Sequence, residues 1–185
     1  ENSMIDYDDM IYYAVKILEQ NSDIRSNYQD TCRFIIEDEA QDSSLMQQHL
    51  LELLSNKHKN LIRCGDPNQS ITNTFTNADT TGFQKFINNN KNVKMNISQR
   101  CAKPIYTFAN ELMKNYPNAF FENVMQGTEF NPKETKDVSF NKFENETEEK
   151  DFILKSIKNI LKNNENSTIA ILLRNNYQVE SYSEF

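Results

Sequence analysis

Residues 34–42 read Phe34-Ile35-Ile36-Glu37-Asp38-Glu39-Ala40-Gln41-Asp42. The apolar run is too short for a helix and is followed at once by acids, which predicts a strand buried on both faces with an acidic carboxyl end. Such a strand end suits a magnesium nucleotide site, because Asp38 can hold the cation while Glu39 takes a proton from an attacking water. The alternative is a pair of exposed charges near a helix N-terminus, where acids are mildly stabilising.

Two further predicted strands also end in polar groups. The strand at 60–64 runs into Gly-Asp-Pro-Asn-Gln-Ser at 65–70, and the strand at 93–97 is followed by Ser-Gln-Arg. Because the carboxyl ends of parallel strands meet at one edge of a sheet, we expect these groups to share a pocket with the acids. There Gln69 could orient a water or contact a terminal phosphate, and Arg100 could stabilise a transferring phosphoryl group. The alternatives are a Gly-Asp-Pro turn that caps a helix and an exposed or ion-paired arginine.

The rest of the chain alternates between predicted helices and strands. Apolar spacing predicts helices that begin near Tyr7, Ser44, Gly82, Pro104, Glu148 and Tyr177. Further strands are predicted at 138–143 and 168–173. This alternation favours an α/β fold with open, mostly parallel sheets. Between residues 115 and 137 the chain is rich in Asn, Pro, Gly and charge, which predicts a domain boundary there.

Composition excludes several classes of protein. Lys and Arg number 20 against 27 Asp and Glu, so the net charge is −7, which argues against strong binding of a phosphate backbone by this chain alone. No apolar run approaches the ~20 residues that a membrane-spanning helix needs. The cysteines number 3 and are widely spaced, which predicts reduced thiols in a cytoplasmic protein rather than a disulfide framework or a zinc site.

Three of these segments, in this order and at this spacing, resemble motifs II, III and IV of superfamily 1 helicases of the UvrD/Rep type. They are residues 36–42, 65–71 and 99–101. Residues 6–10 are similar to a stretch that precedes motif II, and residues 169–176 are similar to a strand early in the family's second domain. The helix from Pro104, with Ile105, Ala109 and Asn110, resembles the helix after motif IV.

The resemblance implies a RecA-like P-loop NTPase fold: an incomplete parallel sheet with flanking helices, followed by the start of a second RecA-like unit. Residues 1–115 would form the later part of the first RecA-like domain. Residues 116–136 would be a linker or excursion loop, and residues 137–185 would begin the second domain. The implied ligands are ATP, Mg²⁺ and single-stranded or partly duplex DNA, with no membrane partner.

The same resemblance implies roles for individual residues. Asp38 serves Mg²⁺, Glu39 acts as the base, Gln69 couples nucleotide state to DNA, and Arg100 reaches the γ-phosphate across the domain cleft. The implied nucleotide contacts are Asp38, Gln41, Asp66 and Gln99. The implied DNA contacts are Phe75, which stacks on a base, and its neighbour Thr76.

Three residues depart from the family pattern. Glu37 stands where an apolar residue is usual, so we expect an extra charge beside the strand end. Gln99 replaces a tyrosine that stacks on adenine, and Thr76 replaces an arginine in a motif III loop that carries an extra residue, so both contacts should differ from those of the family.

The sequence lacks a phosphate-binding loop, which needs a Gly-Lys pair. The glycines are Gly65, Gly82 and Gly127, followed by Asp, Phe and Thr. We therefore expect the chain by itself to be inactive on ATP, as a fragment of an ATP-driven DNA translocase. Two other hypotheses stay open: a non-catalytic RecA-like module that binds a protein or DNA, and a metal-dependent phosphohydrolase built on Asp38, Glu39 and Asp66.

Overall fold

The computed structural model describes residues 4–70, 78–116, 124–133 and 138–183. The chain forms two compact units, Glu1–Thr135 and Lys136–Phe185. The first contains α1 (Tyr7–Gln20), α2 (Ser22–Thr31), β1 (Ile35–Glu37), α3 (Leu45–Ser55), β2 (Leu61–Arg63), α4 (Thr80–Asn89), β3 (Ile97–Ser98), α5 (Lys103–Lys114) and β4 (Gln126–Gly127). Short 3₁₀ turns, Ala40–Asp42 and Pro67–Gln69, follow β1 and β2. The second unit contains α6 (Glu146–Asn163) and α7 (Asn176–Ser183).

Helices α1, α2 and α3 pack together at the start of the first unit. A capping box fixes the beginning of α1: the Asp9 N–H donates to the Asp6 carboxylate at 2.8 Å, and the Asp9 carboxylate accepts from the Asp6 N–H. Its buried residues are Val15 and Leu18. Helix α2 was not predicted, because its ten residues include few apolar ones. Gln29 ties it to α3 by donating to the Leu53 carbonyl at 2.7 Å.

The starts of the next helices are set by local capping. The capping box predicted at Ser44 and Gln47 is confirmed, with hydrogen bonds of 3.3 and 2.7 Å in the two directions. Asp79 caps α4, since its carboxylate accepts from the N–H groups of Thr81 and Gly82. Pro104 lies in the first turn of α5, as predicted.

Strands β1 and β2 lie side by side and run parallel, as the alternation of strands and helices predicts. The register pairs Ile36 with Ile62 and Glu37 with Arg63. Helices α3 and α4 supply contacts to the face that carries Glu37 and Arg63. The opposite face is open, with Ile36 69% and Ile62 51% exposed. The prediction of a strand buried on both faces is therefore wrong for the described residues, because alternate strand residues point to opposite faces and helices cover one of them.

The predicted third strand does not join this sheet. Of its residues only Ile97 enters a ladder, and with Ser98 it forms β3, which pairs in parallel with β4. The expectation that three strand ends share one sheet edge is therefore wrong for the described part of the chain. Alternation at 93–97 indicates an extended segment but does not identify its partner. That partner, β4, lies within residues 116–136, the segment predicted as a linker or loop.

The second unit is described by its helices. Asn145 caps α6 by accepting from the Glu148 N–H at 3.0 Å, and Lys150 ties α6 to α7 by donating to the Ser181 hydroxyl at 2.7 Å. The predicted strands at 138–143 and 168–173 form no ladder in the structure, so these two predictions are wrong. An apolar run becomes a strand only where a neighbour supplies ladder hydrogen bonds. Among the described residues, no helix is both long and apolar enough to cross a membrane.

Candidate active site at the strand ends

The chain leaves β1 through a left-handed residue. Glu39 has φ 54° and ψ 41°, a conformation that costs a non-glycine residue about 1–2 kcal/mol. Two hydrogen bonds hold it: the Glu39 N–H donates to Asp38 Oδ1 at 3.0 Å, and the Ala40 N–H donates to the Cys64 carbonyl at 2.9 Å. Strain of this kind is concentrated at functional sites. The turn leaves the side chains of both acids exposed at the strand end.

Gln41 connects this turn to the end of β2. Its amide Nε2 donates to Glu39 Oε2 at 2.7 Å, and its Oε1 accepts from the Asp66 N–H at 3.0 Å. The Gln41 backbone carbonyl accepts from the Ser70 hydroxyl at 3.3 Å. A primary amide has both a donor and an acceptor end, so one side chain serves both strand ends. The residue is 2% exposed, and the side chain predicted to contact nucleotide is engaged by protein groups.

Asp66 organises the turn after β2. Its Oδ1 accepts from the Asn68 N–H, and its Oδ2 accepts from Gln69 Nε2, both at 3.0 Å. The capped turn considered as an alternative for this segment is therefore present, and it holds Gln69 against Asp66. Hydrogen bonds run without a break from Glu39 through Gln41 and Asp66 to Gln69. The five residues Asp38, Glu39, Gln41, Asp66 and Gln69 are called the strand-end cluster.

Gly65 makes the close approach of the two strand ends possible. A Cβ atom at this position would lie 2.5 Å from Gln41 Oε1 and 3.0 Å from the Ala40 backbone nitrogen. It would also lie 3.1 Å from Cε1 of Phe83, the most deeply buried large side chain among the described residues. Any larger residue would therefore have to move the Gln41 amide away from Glu39.

Asp38 has the chemistry expected of a magnesium ligand. It is exposed, and one of its carboxylate oxygens accepts from the Glu39 N–H while the other has no bond to a described residue. Mg²⁺ is commonly held by one or two carboxylates together with phosphate oxygens and waters, and a single exposed carboxylate fits that pattern. By contrast, the described residues include no group of three His, Cys, Asp or Glu side chains that could hold a metal ion. Asp38, Glu39 and Asp66 thus do not form the site that a metal-dependent phosphohydrolase would need.

Glu37 was expected to add a charge beside the strand end, but Arg63 pairs with it. The Arg63 Nε bonds Glu37 Oε2, and the two side chains are 4% and 11% exposed respectively. The Ser43 hydroxyl donates to the other Glu37 oxygen. Arg63 also donates to Gln48 Oε1 at 3.2 Å, and its guanidinium carbon lies 5.2 Å from the ring centroid of Phe83. The pair lies on the helix-covered face, so its charges are neutralised beneath the acids rather than added to them.

Gln99 and Arg100 belong to a different part of the first unit. Both are exposed in the turn after β3. Among the described residues, no hydrogen bond or ion pair links either of them to the strand-end cluster. Their roles at a nucleotide therefore stay predictions. Phe75 and Thr76 lie outside the described residues.

Several buried polar residues near these turns were not predicted from the sequence. Arg63 occupies the inward position of an alternating strand, where its charge could have indicated a buried partner such as Glu37. Asn131 is 7% exposed and precedes Pro132, and an Asn-Pro pair is a recognised turn signal. Neither signal names the residue on the other side of the contact.

Sequence models of two helicase domains match the chain. Residues 1–91 match the UvrD/REP helicase N-terminal domain, and residues 93–184 match the UvrD-like helicase C-terminal domain. The ATP-dependent DNA helicase Rep of Buchnera aphidicola subsp. Baizongia pistaciae (strain Bp) is 28% identical over 190 residues, which cover 100% of this chain and 28% of Rep. An ATP-dependent helicase/nuclease of Streptococcus pyogenes serotype M5 (strain Manfredo) is 45% identical over 87 residues, which cover 46% of this chain and 7% of that protein.

The chain thus spans little more than a quarter of the length of Rep. The two domain matches follow one another in the order of the helicase domains and together account for nearly every residue. The chain belongs to the UvrD/Rep-type family of superfamily 1 helicases.

Proposed function

We propose that the chain is part of a longer ATP-dependent DNA helicase that couples Mg-ATP hydrolysis to movement on single-stranded DNA. The observation that carries this proposal is the strand-end cluster, in which hydrogen bonds link Glu39 to Gln69 through Gln41 and Asp66. The cluster lies at the carboxyl ends of adjacent parallel strands, where α/β sheets bind their ligands. Two relatives whose names describe ATP-dependent helicases support the same activity.

In this proposal the two acids have separate tasks. Asp38 would hold Mg²⁺, which when bound bridges the β- and γ-phosphates and neutralises their charge. Glu39 accepts the proton of the attacking water. Gln41 orients the Glu39 carboxylate by binding one of its oxygens at 2.7 Å, so the other oxygen is available for the water. The left-handed backbone of Glu39 keeps the carboxylate at the exposed strand end.

Gln69 would report the state of the nucleotide. Its amide now bonds Asp66, and a γ-phosphate would compete for that donor. A change at Gln69 reaches Glu39 through Asp66 and Gln41, and it reaches the following loop directly along the backbone. Phe75 and Thr76 lie in that loop, and we propose that Phe75 stacks on a DNA base.

Arg100 completes the proposed site from the end of β3. It carries a permanent charge that suits the γ-phosphate in the transition state, and Gln99 would lie beside the nucleotide. We keep the proposed boundaries for the family's domains: residues 1–115, a connecting segment at 116–136, and residues 137–185.

We also propose that the chain by itself neither binds ATP tightly nor hydrolyses it. The strand-end cluster supplies groups for the metal and the water, but the sequence contains no Gly-Lys pair to cradle the phosphates. ATP turnover by the purified chain would overturn this part of the proposal.

The test of the helicase proposal is Glu39→Gln in the full-length protein. We expect DNA-stimulated ATP turnover to fall by about 10²–10⁴-fold, the usual contribution of a general base, while nucleotide binding is retained. The control is Glu165→Gln, which neutralises an exposed carboxylate of the second unit and should leave turnover unchanged. Retained turnover in Glu39→Gln would remove Glu39 from the role of base. A wild-type protein that binds DNA without turnover would be the non-catalytic module instead.

A further inference from the structure

Asn131 holds the turn that presents Arg100. Its amide Nδ2 donates to the Ser98 carbonyl at 2.8 Å and to the Cys101 carbonyl at 2.7 Å. These two carbonyls flank Gln99 and Arg100 on either side. The Cys101 N–H donates to the Ser98 hydroxyl at 3.1 Å and closes the same turn. One side chain from beyond β4 therefore fixes both ends of the segment that carries the proposed phosphate-binding arginine.

Every hydrogen-bonding group of the Asn131 amide is used. Its Oδ1 accepts from the Thr128 N–H at 2.6 Å and from the Thr128 hydroxyl at 2.7 Å. Two donors and two acceptor sites are the full capacity of this amide, and the residue is 7% exposed. Because an unsatisfied buried polar group is costly, the arrangement has a single stable geometry.

Arg100 itself has little else to orient it. Its side chain is exposed, and no described residue forms an ion pair or hydrogen bond with it. The direction in which its guanidinium leaves the protein is therefore set by the backbone of the turn. Asn131, which fixes the carbonyls at both ends of that turn, controls this backbone.

We propose that Asn131 is a positioning residue for Arg100, and that it sets the approach of the guanidinium to the γ-phosphate. This inference rests on the helicase proposal for its catalytic part. Its structural part, that Asn131 holds the turn at 98–101 closed, does not depend on any activity.

The test uses the full-length protein and Asn131→Asp, which keeps the shape and the acceptor but removes both donated hydrogen bonds. A carboxylate there faces the carbonyls of Ser98 and Cys101, so the turn should open. We expect kcat for DNA-stimulated ATP turnover to fall roughly 10- to 100-fold, the usual effect of a misplaced catalytic group, with KM for ATP nearly unchanged. Thr128→Val, which removes one support of the Asn131 amide without adding charge, should lower kcat in the same direction by less.

Asn110→Asp is the matched control. Asn110 binds the Met125 backbone through its amide in the same reciprocal way, with both hydrogen bonds at 2.8 Å. The substitution removes a donated hydrogen bond from the same unit but leaves the turn at 98–101 untouched. It should therefore reduce kcat by less than Asn131→Asp.

A double-mutant cycle separates positioning from general destabilisation. Arg100→Ala should lower kcat by about 10³-fold or more, as expected for an arginine on a transferring phosphoryl group. If Asn131 acts through Arg100, adding Asn131→Asp to Arg100→Ala lowers kcat no further. Independent, multiplying effects would overturn the inference. An Arg100→Ala protein with wild-type turnover would instead refute the role given to Arg100 in the proposed function.

Limited trypsin digestion tests the turn without using activity. Trypsin cleaves after arginine and needs an unfolded segment, so the bond between Arg100 and Cys101 should be cut faster in Asn131→Asp than in wild type or Asn110→Asp. Mass spectrometry of the fragments measures this rate. Equal cleavage rates in all three proteins would show that Asn131 does not hold the turn, whatever the turnover assay gives.

Discussion

Replacing Arg63 with methionine tests the buried ion pair beneath the strand-end cluster. The change removes the partner of Glu37, which then keeps only the Ser43 hydroxyl among its described contacts. Gln48 Oε1 also loses the Arg63 donor. Methionine can still pack on the Phe83 ring, so the substitution removes charge and hydrogen bonds more than it removes packing.

The magnitude follows from burial. The side chains of Arg63 and Glu37 are 4% and 11% exposed, so water cannot solvate the carboxylate once its partner is gone. Breaking a buried pair in this way typically costs about 3–5 kcal/mol. Glu37→Val combined with Arg63→Met replaces both charges with apolar groups, and such replacements are often neutral or stabilising. We therefore expect the double variant to regain most of the free energy of unfolding lost in Arg63→Met.

Urea unfolding followed by circular dichroism measures the free energy of unfolding of each variant. The control is Lys57→Met, which breaks an exposed ion pair with Asp30 whose side chains are 42% and 56% exposed. Exposed pairs contribute little, so its unfolding midpoint should stay close to that of wild type. The reasoning is refuted if Arg63→Met shifts the midpoint no more than Lys57→Met, or if the double variant is less stable than Arg63→Met alone.

Two further predictions concern single contacts. Gly65→Ala places a Cβ where Gln41 Oε1 is 2.5 Å away, so the Gln41 amide should move from Glu39 and steady-state ATP turnover of the full-length protein should fall by roughly tenfold or more; wild-type turnover would contradict this. Hydrogen bonds from Lys150 and then Ser181 hold the pKa of Glu146 below its ordinary value of 4.5. Because the folded-state pKa is the lower one, the stability that Glu146 contributes is present above about pH 4.5 and is lost as the pH falls through the folded-state pKa. A carboxyl NMR titration should show the Glu146 pKa rising in Lys150→Met, and an unchanged value would refute the assignment.

Local patterns were sufficient wherever the structure depends on neighbouring residues in the chain. The Ser44 capping box and the proline at the start of α5 were predicted correctly, because both are satisfied within one helical turn. The strand before the acids and the strand before Gly65 were also predicted, and they pair in parallel. Helix α2 was missed because a distant side-chain contact, Gln29 to α3, supports it in place of an apolar stripe.

Long-range contacts decided what the patterns left open. The segment at 93–97 was predicted as an extended strand, but its partner proved to be β4, in a segment whose composition suggested a linker. The runs at 138–143 and 168–173 are as apolar as strands but form no ladder in the described structure. Strand formation requires hydrogen bonds from a second segment, and composition does not identify that segment.

The sequence by itself determined the family resemblance, the α/β alternation and the acids that end β1, because residue type, order and spacing carry those features. Only the tertiary structure decided how those groups are held. It paired Glu37 with Arg63, joined Glu39 to Gln69 through Gln41, and placed Asn131 across the turn of Arg100. The physical reason is that each of these contacts joins polar groups brought into hydrogen-bonding distance by folding, and a buried polar group is stable only when such a partner is present.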